Sequence, residues 1–241
     1  MVTAPPSLIA RASRFGGRLA KARWLVLAPH PDDETLGAGA LIAEASDSGR
    51  LAGVVFVTDG SGSHPCVDAS ARRRLAELRR REAREALRAL TRRADTPIEF
   101  LDWRDARPPD LGSPTFLAAA RRLAGLCRRD RVDAIAVTAL RDAHCDHVAS
   151  AKLAYAVARD ARRRIDVLQY AVWSDPADLR DGRFLAIDAR SSLPRRTAAL
   201  ARHRSQLTPS AGQGFRLSPE QRDLRRRPFE FFLRSAPRHA P

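Results

Sequence analysis

Short apolar runs alternate along this chain with longer segments in which apolar residues recur every three or four positions. The short runs are typical of buried strands, and the longer segments are typical of amphipathic helices. Because the two alternate, we predict an α/β fold that is Rossmann-like, with a mostly parallel sheet and helices on both faces. The predicted strands are Trp24–Ala28, Gly53–Thr58, Ile98–Asp102, Asp133–Thr138, Ile165–Trp173 and Phe184–Ile187, and the predicted helices are Thr35–Ser48, Ser70–Arg93, Pro114–Arg129, His147–Arg163 and Leu193–Leu207.

Composition indicates one main domain with a flanking segment at each end. The chain has 241 residues, which is enough to bury a sizeable core. We expect a basic N-terminal arm over residues 1–22, the main domain over residues 23–208 and a peripheral Arg- and Pro-rich extension over residues 209–241. The arm is expected to pack against the domain, and its alternative is peripheral attachment to an anionic membrane.

Three features of the sequence bear on location. No apolar run approaches the ~20 residues that span a bilayer, and the first 22 residues contain no continuous apolar core of a secretory signal. The three cysteines have no paired spacing, which argues against a disulfide framework. We therefore expect a cytoplasmic protein, while the oligomeric state stays open.

The formal net charge of +15 raises the question of nucleic-acid binding. Lys21 and Lys152 are the only lysines, and the arginines are spread over the predicted helices. Aromatic residues make up 6% of the chain and do not interleave with the arginines, as a base-stacking surface requires. We therefore expect no nucleic-acid partner.

The first predicted strand ends in a concentration of ionisable residues, Pro29-His30-Pro31-Asp32-Asp33-Glu34. Open α/β sheets bind their ligands at this end of a parallel strand. Carboxylates that are buried together repel each other and lose hydration. Because a bound cation removes much of that cost, the segment indicates a metal site. The structural alternative is capping of the next helix by Asp32.

A second cluster, Asp142-Ala143-His144-Cys145-Asp146-His147, follows the fourth predicted strand. If the first and fourth strands are neighbours at the switch point of the sheet, their C-terminal loops converge. Two histidines and a carboxylate from these loops form a site with an open position for water, as in catalytic zinc sites. Each cluster alone is weak evidence, but the two together predict a divalent metal centre.

The helix predicted over residues 70–93 carries a charged pair on its apolar face. Arg79 and Glu82 fall on the same stripe as Leu75, Ala86 and Leu90, because these positions recur every three or four residues. Two interpretations are equally supported. One is a buried ion pair between Arg79 and Glu82, and the other is an arginine that points into the active site.

Five other residues also have two interpretations each. Trp103 and Asp105 follow the third predicted strand and either line the pocket or belong to a hydrophobic plug. His203 and Gln206 either lean toward the cleft or serve as surface caps. His64 lies in a predicted loop, where solvent exposure is expected more than a contact with substrate.

The order of these motifs resembles that of the LmbE-like or PIG-L family, zinc-dependent N-deacetylases of molecules that contain N-acetylglucosamine. The combination is specific to the family but not to a substrate, and it implies that residues 23–208 form the deacetylase domain. The matching segments are Ala28-Pro29-His30-Pro31-Asp32-Asp33-Glu34, Thr58-Asp59-Gly60, Arg79-x-x-Glu82, Asp142-x-His144-x-Asp146-His147 and His203-Arg204-Ser205-Gln206.

This resemblance implies a metal centre with three protein ligands. His30, Asp33 and His147 would hold one zinc ion per chain. Iron or cobalt is the alternative, because sites of imidazole and carboxylate accept several divalent ions. The substrate would be a small molecule or a glycoconjugate.

The resemblance also implies the catalytic roles. Asp32 would be the general base, and His144 would stabilise the oxyanion or protonate the leaving amine. Asp146 would orient His144, and Arg79 would face the sugar. The family usually has proline at the position of Cys145, and a proline would stiffen this turn. The orientation of the His144 side chain is therefore less constrained here.

We therefore expect a zinc-dependent hydrolase that removes an acetyl or other acyl group from an N-acetylated amino sugar or its conjugate. One alternative is an amidohydrolase that acts on a non-sugar acylated metabolite. Another is a metal-containing glycan-binding module without turnover. The presence of both Asp32 and His144 favours an enzyme over such a module.

Overall fold

A mixed eight-stranded sheet forms the centre of the computed structural model, which describes residues 12–173 and 182–235. Strand β8 runs antiparallel to its neighbours β6 and β7, and the other neighbouring pairs are parallel. The order across the sheet is β1-β7-β8-β6-β5-β2-β3-β4. The strands are β1 (Ser13–Arg14), β2 (Trp24–Ala28), β3 (Leu51–Thr58), β4 (Ile98–Trp103), β5 (Ala134–Thr138), β6 (Asp166–Tyr170), β7 (Gly182–Asp188) and β8 (Phe229–Ser235).

Helices cover both faces of this sheet, so the predicted α/β class is confirmed. The core on one face contains Val26 and Phe56 together with residues of α1, α2 and α5, and the core on the other contains Leu25 and Leu27 with residues of α3 and α4. The helices are α1 (Asp33–Asp47), α2 (Ala69–Thr91), α3 (Pro114–Arg129), α4 (Cys145–Asp160), α5 (Leu193–Leu200), α6 (Arg204–Leu207) and α7 (Pro219–Arg222), with 3₁₀ turns at Leu19–Lys21, Pro209–Ala211 and Leu224–Arg226.

The described part of the N-terminal arm packs against the domain as expected, whereas the C-terminal extension differs from the expectation. In the N-terminal arm, Ser13–Arg14 pairs with β7, and residues 1–11 lie outside the described part of the chain. In the C-terminal extension, β8 inserts between β6 and β7, and Phe232 is fully buried. The expectation of a peripheral tail was therefore wrong for residues 229–235, because the Gly, Pro and Arg content around them obscured a short apolar strand.

Strand β8 is linked to the helices by a buried ion pair. Helix α1 bends at Ala38, whose φ of −137° and ψ of 16° are not helical. Beyond the bend, the carboxylate of Glu230 accepts hydrogen bonds from the backbone N–H groups of Ala40 (2.7 Å) and Leu41 (3.1 Å). The Nε atom of Arg196 in α5 lies 3.2 Å from the same carboxylate. This pair joins the C-terminal strand to α1 and α5.

The position of β2 in the sheet decides where a ligand is expected to bind. Strand β2 has β3 on one side and β5 on the other, and the chain moves outward in opposite directions from it. The carboxyl ends of β2 and β5 therefore open into one crevice at the switch point of the sheet. Within the described segments, none of the helices combines the length and the apolar character that crossing a bilayer requires.

Candidate active site

The two predicted motif clusters meet at the carboxyl ends of β2 and β5. These strands are direct neighbours, with Trp24 paired to Ala134. The ring centroids of His30 and His147 lie 5.4 Å apart, and those of His30 and His144 lie 4.8 Å apart. Residues separated by more than a hundred positions therefore share one site, as the sequence analysis predicts.

His30, Asp33 and His147 form a compact set of metal donors. All three residues are buried, and one ligand atom from each lies within 4.8 Å of the others. The Oδ2 atom of Asp33 is 3.1 Å from His30 Nδ1 and 3.3 Å from His147 Nε2. Donors at about 2.0–2.2 Å from a tetrahedral zinc ion lie roughly 3.3 Å apart, so these distances fit a single small cation.

Unsatisfied polar atoms support the same fit. Among the described residues, neither the Oδ1 atom of Asp33 nor the Nε2 atom of His147 has a hydrogen-bond partner, although both side chains are fully buried. Such atoms are rare, because leaving them unpaired costs about 1–3 kcal/mol each. Burial lowers the pKa of His147, but Asp33 and Asp142 raise it to about 9. The cluster thus attracts positive charge, which a divalent cation would supply in place of protons.

A second set of possible donors shares His30 with the first. His30, Asp105, His144 and Asp146 also bring one ligand atom each within 4.8 Å of the others. His30 Nε2 lies 2.9 Å from Asp146 Oδ2 and 3.3 Å from Asp105 Oδ1. This set is less enclosed than the first, because Asp105 and His144 are only partly buried.

Asp32 adopts a strained backbone conformation beside the metal cluster. Its φ is 137°, and strain of this kind persists where surrounding contacts over-determine it. The N–H of Asp32 donates to Glu34 Oε2 at 2.9 Å, and the Oε1 atom of Glu34 lies 3.0 Å from His203 Nε2. Burial raises the pKa of Asp32 to about 7, and the nearby Arg79 opposes that rise. A carboxylate in this range is suited to general-base work.

His144 is held by the backbone, whereas Asp146 contacts His30. The Nδ1 atom of His144 accepts the N–H of Asp146 at 3.2 Å and caps helix α4. The Oδ2 atom of Asp146 accepts the N–H of Ala106 at 2.8 Å and is 3.9 Å from His144 Nδ1. The helix cap occupies Nδ1 of His144, so the orientation of His144 by the Asp146 carboxylate stays a prediction. Cys145, at the position of the usual proline, is exposed.

Arg79 reaches the site from the buried face of α2. Its Nη1 atom donates to the carbonyl of Gly60 at 2.7 Å, and Nη2 donates to the carbonyl of Pro31 at 2.6 Å. Nη2 also lies 3.4 Å from Asp32 Oδ2. Gly60 is required here, because its φ is +65° and a Cβ atom would lie 2.7 Å from Arg79 Nη1. The arginine thus belongs to the site.

The neighbouring acid on α2 has a different partner. Glu82 accepts hydrogen bonds from the N–H of Ser205 at 2.8 Å and from its hydroxyl at 2.6 Å. Glu82 thereby holds the start of α6, next to His203 and Gln206. Both of those side chains are fully buried, so surface capping does not describe them.

A cavity of about 450 Å³ opens above these groups. Its volume lies in the range of ~300–1,000 Å³ that is usual for small-molecule sites. The lining residues are His30, Asp32, Gly62, Ser63, Arg79, Asp105, Ala106, Ala143, His144, Trp173, Gln206 and Phe215. Catalytic candidates and aromatic side chains thus share one space.

Sequence reasoning left one residue of this arrangement open and missed another. Asp105 faces the cavity, as the first of its two interpretations has it, because its place after β4 puts it at the same edge of the sheet as Asp33. His64 is 5% exposed, which corrects the expectation of a solvated loop histidine. It is covered by the C-terminal segment at Gly214, where a Cβ atom would lie 2.4 Å from the His64 ring. A contact between residues this distant in sequence leaves no local pattern.

Comparison with known proteins identifies a family model that matches residues 25–158. The model is PIG-L, described as GlcNAc-PI de-N-acetylase. A search of curated proteins returned no match.

Solved structures share the fold. The conserved protein TT1542 from Thermus thermophilus is 25% identical, with a TM-score of 0.65, over 90% of this chain and 96% of its own. N,N'-diacetylchitobiose deacetylase from Pyrococcus horikoshii is 23% identical, with a TM-score of 0.60, over 79% and 73%. GalB, the 4-carboxy-2-hydroxymuconate hydratase from Pseudomonas putida, is 21% identical, with a TM-score of 0.61, over 76% and 78%.

Proposed function

The chain belongs to the PIG-L family, and from that membership we propose that it hydrolyses the N-acetyl group of an amino sugar or an amino-sugar conjugate. The observation that carries the proposal is the meeting of His30, Asp33 and His147 beside the buried carboxylate of Asp32, at the floor of a cavity. Family membership is needed for this step, because a hydratase shares the same fold and a fold alone does not determine a reaction.

We assign the cation to His30, Asp33 and His147. Two imidazoles and one carboxylate with an open position are a common donor set for catalytic zinc, so zinc is the metal we propose. Iron and cobalt are the alternatives that metal analysis distinguishes. When bound, the cation supplies a Lewis acid that polarises the acetyl carbonyl and makes water a better nucleophile.

Asp32 and His144 handle the protons. A carboxylate oxygen of Asp32 takes the proton of the attacking water, and Arg79, at 3.4 Å, holds that carboxylate in place. The Nδ1 atom of His144 accepts a backbone N–H, so the proton of the neutral ring is on Nε2. From there the neutral His144 donates a hydrogen bond to the oxygen that develops negative charge. The departing nitrogen takes the proton that Asp32 removed from the water, whereas protonation of that nitrogen by His144 requires the doubly protonated ring. Both side chains line the cavity.

The same proposal extends to the cellular compartment in which the enzyme acts. The three cysteines are free, and free thiols persist in a reducing compartment. We propose the cytoplasm as the place where the enzyme acts. Fractionation of cells that express the full chain would test this, and recovery outside the cytoplasm would contradict it.

A panel of N-acetylated substrates tests the function. Zinc-loaded protein is incubated with N-acetylated sugars, sugar conjugates and non-sugar amides, and the release of free amine and acetate is measured. We expect both products in equal amounts from at least one sugar and none after chelation. A matched Asp32→Asn variant should retain its metal and lose about 10²–10⁴-fold in turnover.

Two results would contradict this assignment. Release from non-sugar amides alone would favour the alternative amidohydrolase, and no release from any member of the panel by metal-loaded protein would refute deacetylation. Undiminished turnover by Asp32→Asn would remove Asp32 from the mechanism.

A further inference from the structure

The cavity is much larger than an acetyl group requires, and two aromatic rings line one part of it. Trp173 and Phe215 both face the cavity of about 450 Å³. Their ring centroids are 5.5 Å apart and their planes are at 89°, the edge-to-face arrangement that aromatic pairs favour. We call these two side chains the aromatic corner.

The aromatic corner extends from the metal cluster to solvent. The ring centroid of Trp173 lies 6.5 Å from that of His147, next to the proposed metal ligands. Phe215 is 41% exposed. Large exposed hydrophobic residues are few in the part of the chain that the structure describes, where Val67 and Leu111 are the others. An apolar group placed here would cover aromatic surface that the protein itself leaves open to water.

Backbone contacts fix Phe215 at this place. The N–H of Phe215 donates to the carbonyl of Ser63 at 2.7 Å, and the N–H of Leu217 donates to the carbonyl of Gln206 at 2.9 Å. Just before Phe215, the segment approaches His64 so closely that Gly214 has no room for a Cβ atom. The position of the ring therefore follows from the fold of the segment, and the corner exists before any ligand binds.

We propose that the aromatic corner is a subsite for an apolar group of the substrate, adjacent to the amide that is cleaved. This inference rests on the proposed function and narrows its substrate class to N-acylated amino sugars that carry an apolar substituent. Aromatic faces bind alkyl and aryl groups by burying apolar area and by ring packing. The substituent has two possible sources, a longer acyl chain or an apolar aglycone.

Two substrate series distinguish these sources. In the first, N-acetylglucosamine carries a methyl, hexyl or phenyl aglycone. In the second, methyl glucosaminide carries an acetyl, butanoyl or hexanoyl group. We expect kcat/KM of the wild type to rise about tenfold or more along one series, because an apolar pocket discriminates by ~10-fold or more per well-buried group.

Three variants test whether this rise in kcat/KM comes from the aromatic corner. In Phe215→Ala and Trp173→Ala the rise along that series should shrink to within about twofold, whereas Leu111→Ala, which removes an exposed hydrophobic residue outside the cavity, should keep it. Phe215→Ala is the safer variant for folding, since the ring is half exposed. An equal rate along both series in the wild type would overturn the subsite, and so would a loss by the same factor for every substrate in the two cavity variants.

A binding measurement separates failure of this inference from failure of the proposed function. The zinc-loaded Asp32→Asn protein is titrated calorimetrically with both series, with and without Phe215→Ala. Tighter binding of the apolar members that disappears with Phe215→Ala supports the corner even if no substrate turns over. Equal affinities along both series refute the corner even if the wild type deacetylates its substrates.

Discussion

Asp33 and Glu230 are both buried carboxylates at helix α1, the first within its opening turn and the second packed against it from β8, yet the protein surrounds them differently. Glu230 accepts two backbone N–H groups beyond the bend of α1 and pairs with the Arg196 guanidinium. Asp33 begins the helix and faces the imidazoles of His30 and His147, and its Oδ1 atom has no hydrogen-bond partner among the described residues. The hydrogen-bonding capacity of the Glu230 carboxylate is filled by groups of the chain itself, whereas that of the Asp33 carboxylate is only partly filled.

This difference separates a structural charge from a functional one. Burying an ion costs several kcal/mol unless partners compensate for the lost hydration. At Glu230 those partners are covalently part of the molecule, so the pair stabilises the attachment of β8. At Asp33 the compensation is completed by protons on the histidines or by a cation, so ligand binding and local stability are coupled there.

The largest expected effect tests the proposed metal site at Asp33. Replacing His147 by alanine removes one of three proposed ligands, so the bound metal should fall from one ion per chain to nearly none, and activity should be lost with it. The melting temperature of the metal-free variant should also fall below that of the metal-free wild type, because the protonated His147 ring no longer compensates the buried Asp33 carboxylate. Metal analysis and thermal unfolding measure both quantities.

A matched histidine provides the control for this variant. His64 is buried but belongs to neither donor set, so His64→Ala should keep one ion per chain. A full metal content in His147→Ala would mean that the ligand assignment is wrong.

Replacement of Glu230 should lower the stability of the fold but leave metal binding unchanged. Glu230→Ala leaves the Arg196 charge and two backbone N–H groups unpaired, and breaking one side of a buried pair costs about 3–5 kcal/mol. For a chain of this size that lowers the melting temperature by roughly 6–20 °C, while metal content stays at one ion per chain.

An exposed pair controls for the loss of charge alone. Asp95 pairs with Arg93 at the surface, and Asp95→Ala should leave the melting curve unchanged, since exposed pairs contribute little. If Glu230→Ala melted like the wild type, or lost its metal, the structural interpretation of this pair would fail.

The same two residues show how far the sequence predicts the molecule. Asp33 was predictable because its signal is local: a buried strand ends, and one histidine and three acidic residues follow almost at once. The sheet rule that places ligands at such strand ends then brings the cluster of residues 142–147 to the same edge. The alternating pattern also predicted α3 to the residue and β2 to the residue.

Glu230 was not predictable in this way. Its partners Arg196, Ala40 and Leu41 are 34, 190 and 189 positions away, and no spacing encodes such contacts. The apolar residues around it stand among arginines and prolines, and no strand was predicted there. The single helix predicted over Leu193–Leu207 likewise divides into α5 and α6, because His203 leaves the helical conformation to reach Glu34.

The smallest expected effect decides which donor set holds the cation. His30 belongs to both sets, so its removal cannot distinguish them, whereas Asp105 belongs to one. In our assignment Asp105 only supports His30, from 3.3 Å, and loss of such a supporting partner weakens metal affinity by about 10–100-fold. Asp105→Asn should therefore reach one ion per chain at saturating zinc, with a higher dissociation constant.

Asp110→Asn, an exposed change further along the same loop, should bind zinc as the wild type does. A variant at Asp105 that fails to reach one ion per chain at saturation would place the metal among His30, Asp105, His144 and Asp146, and would make Asp33 the supporting residue.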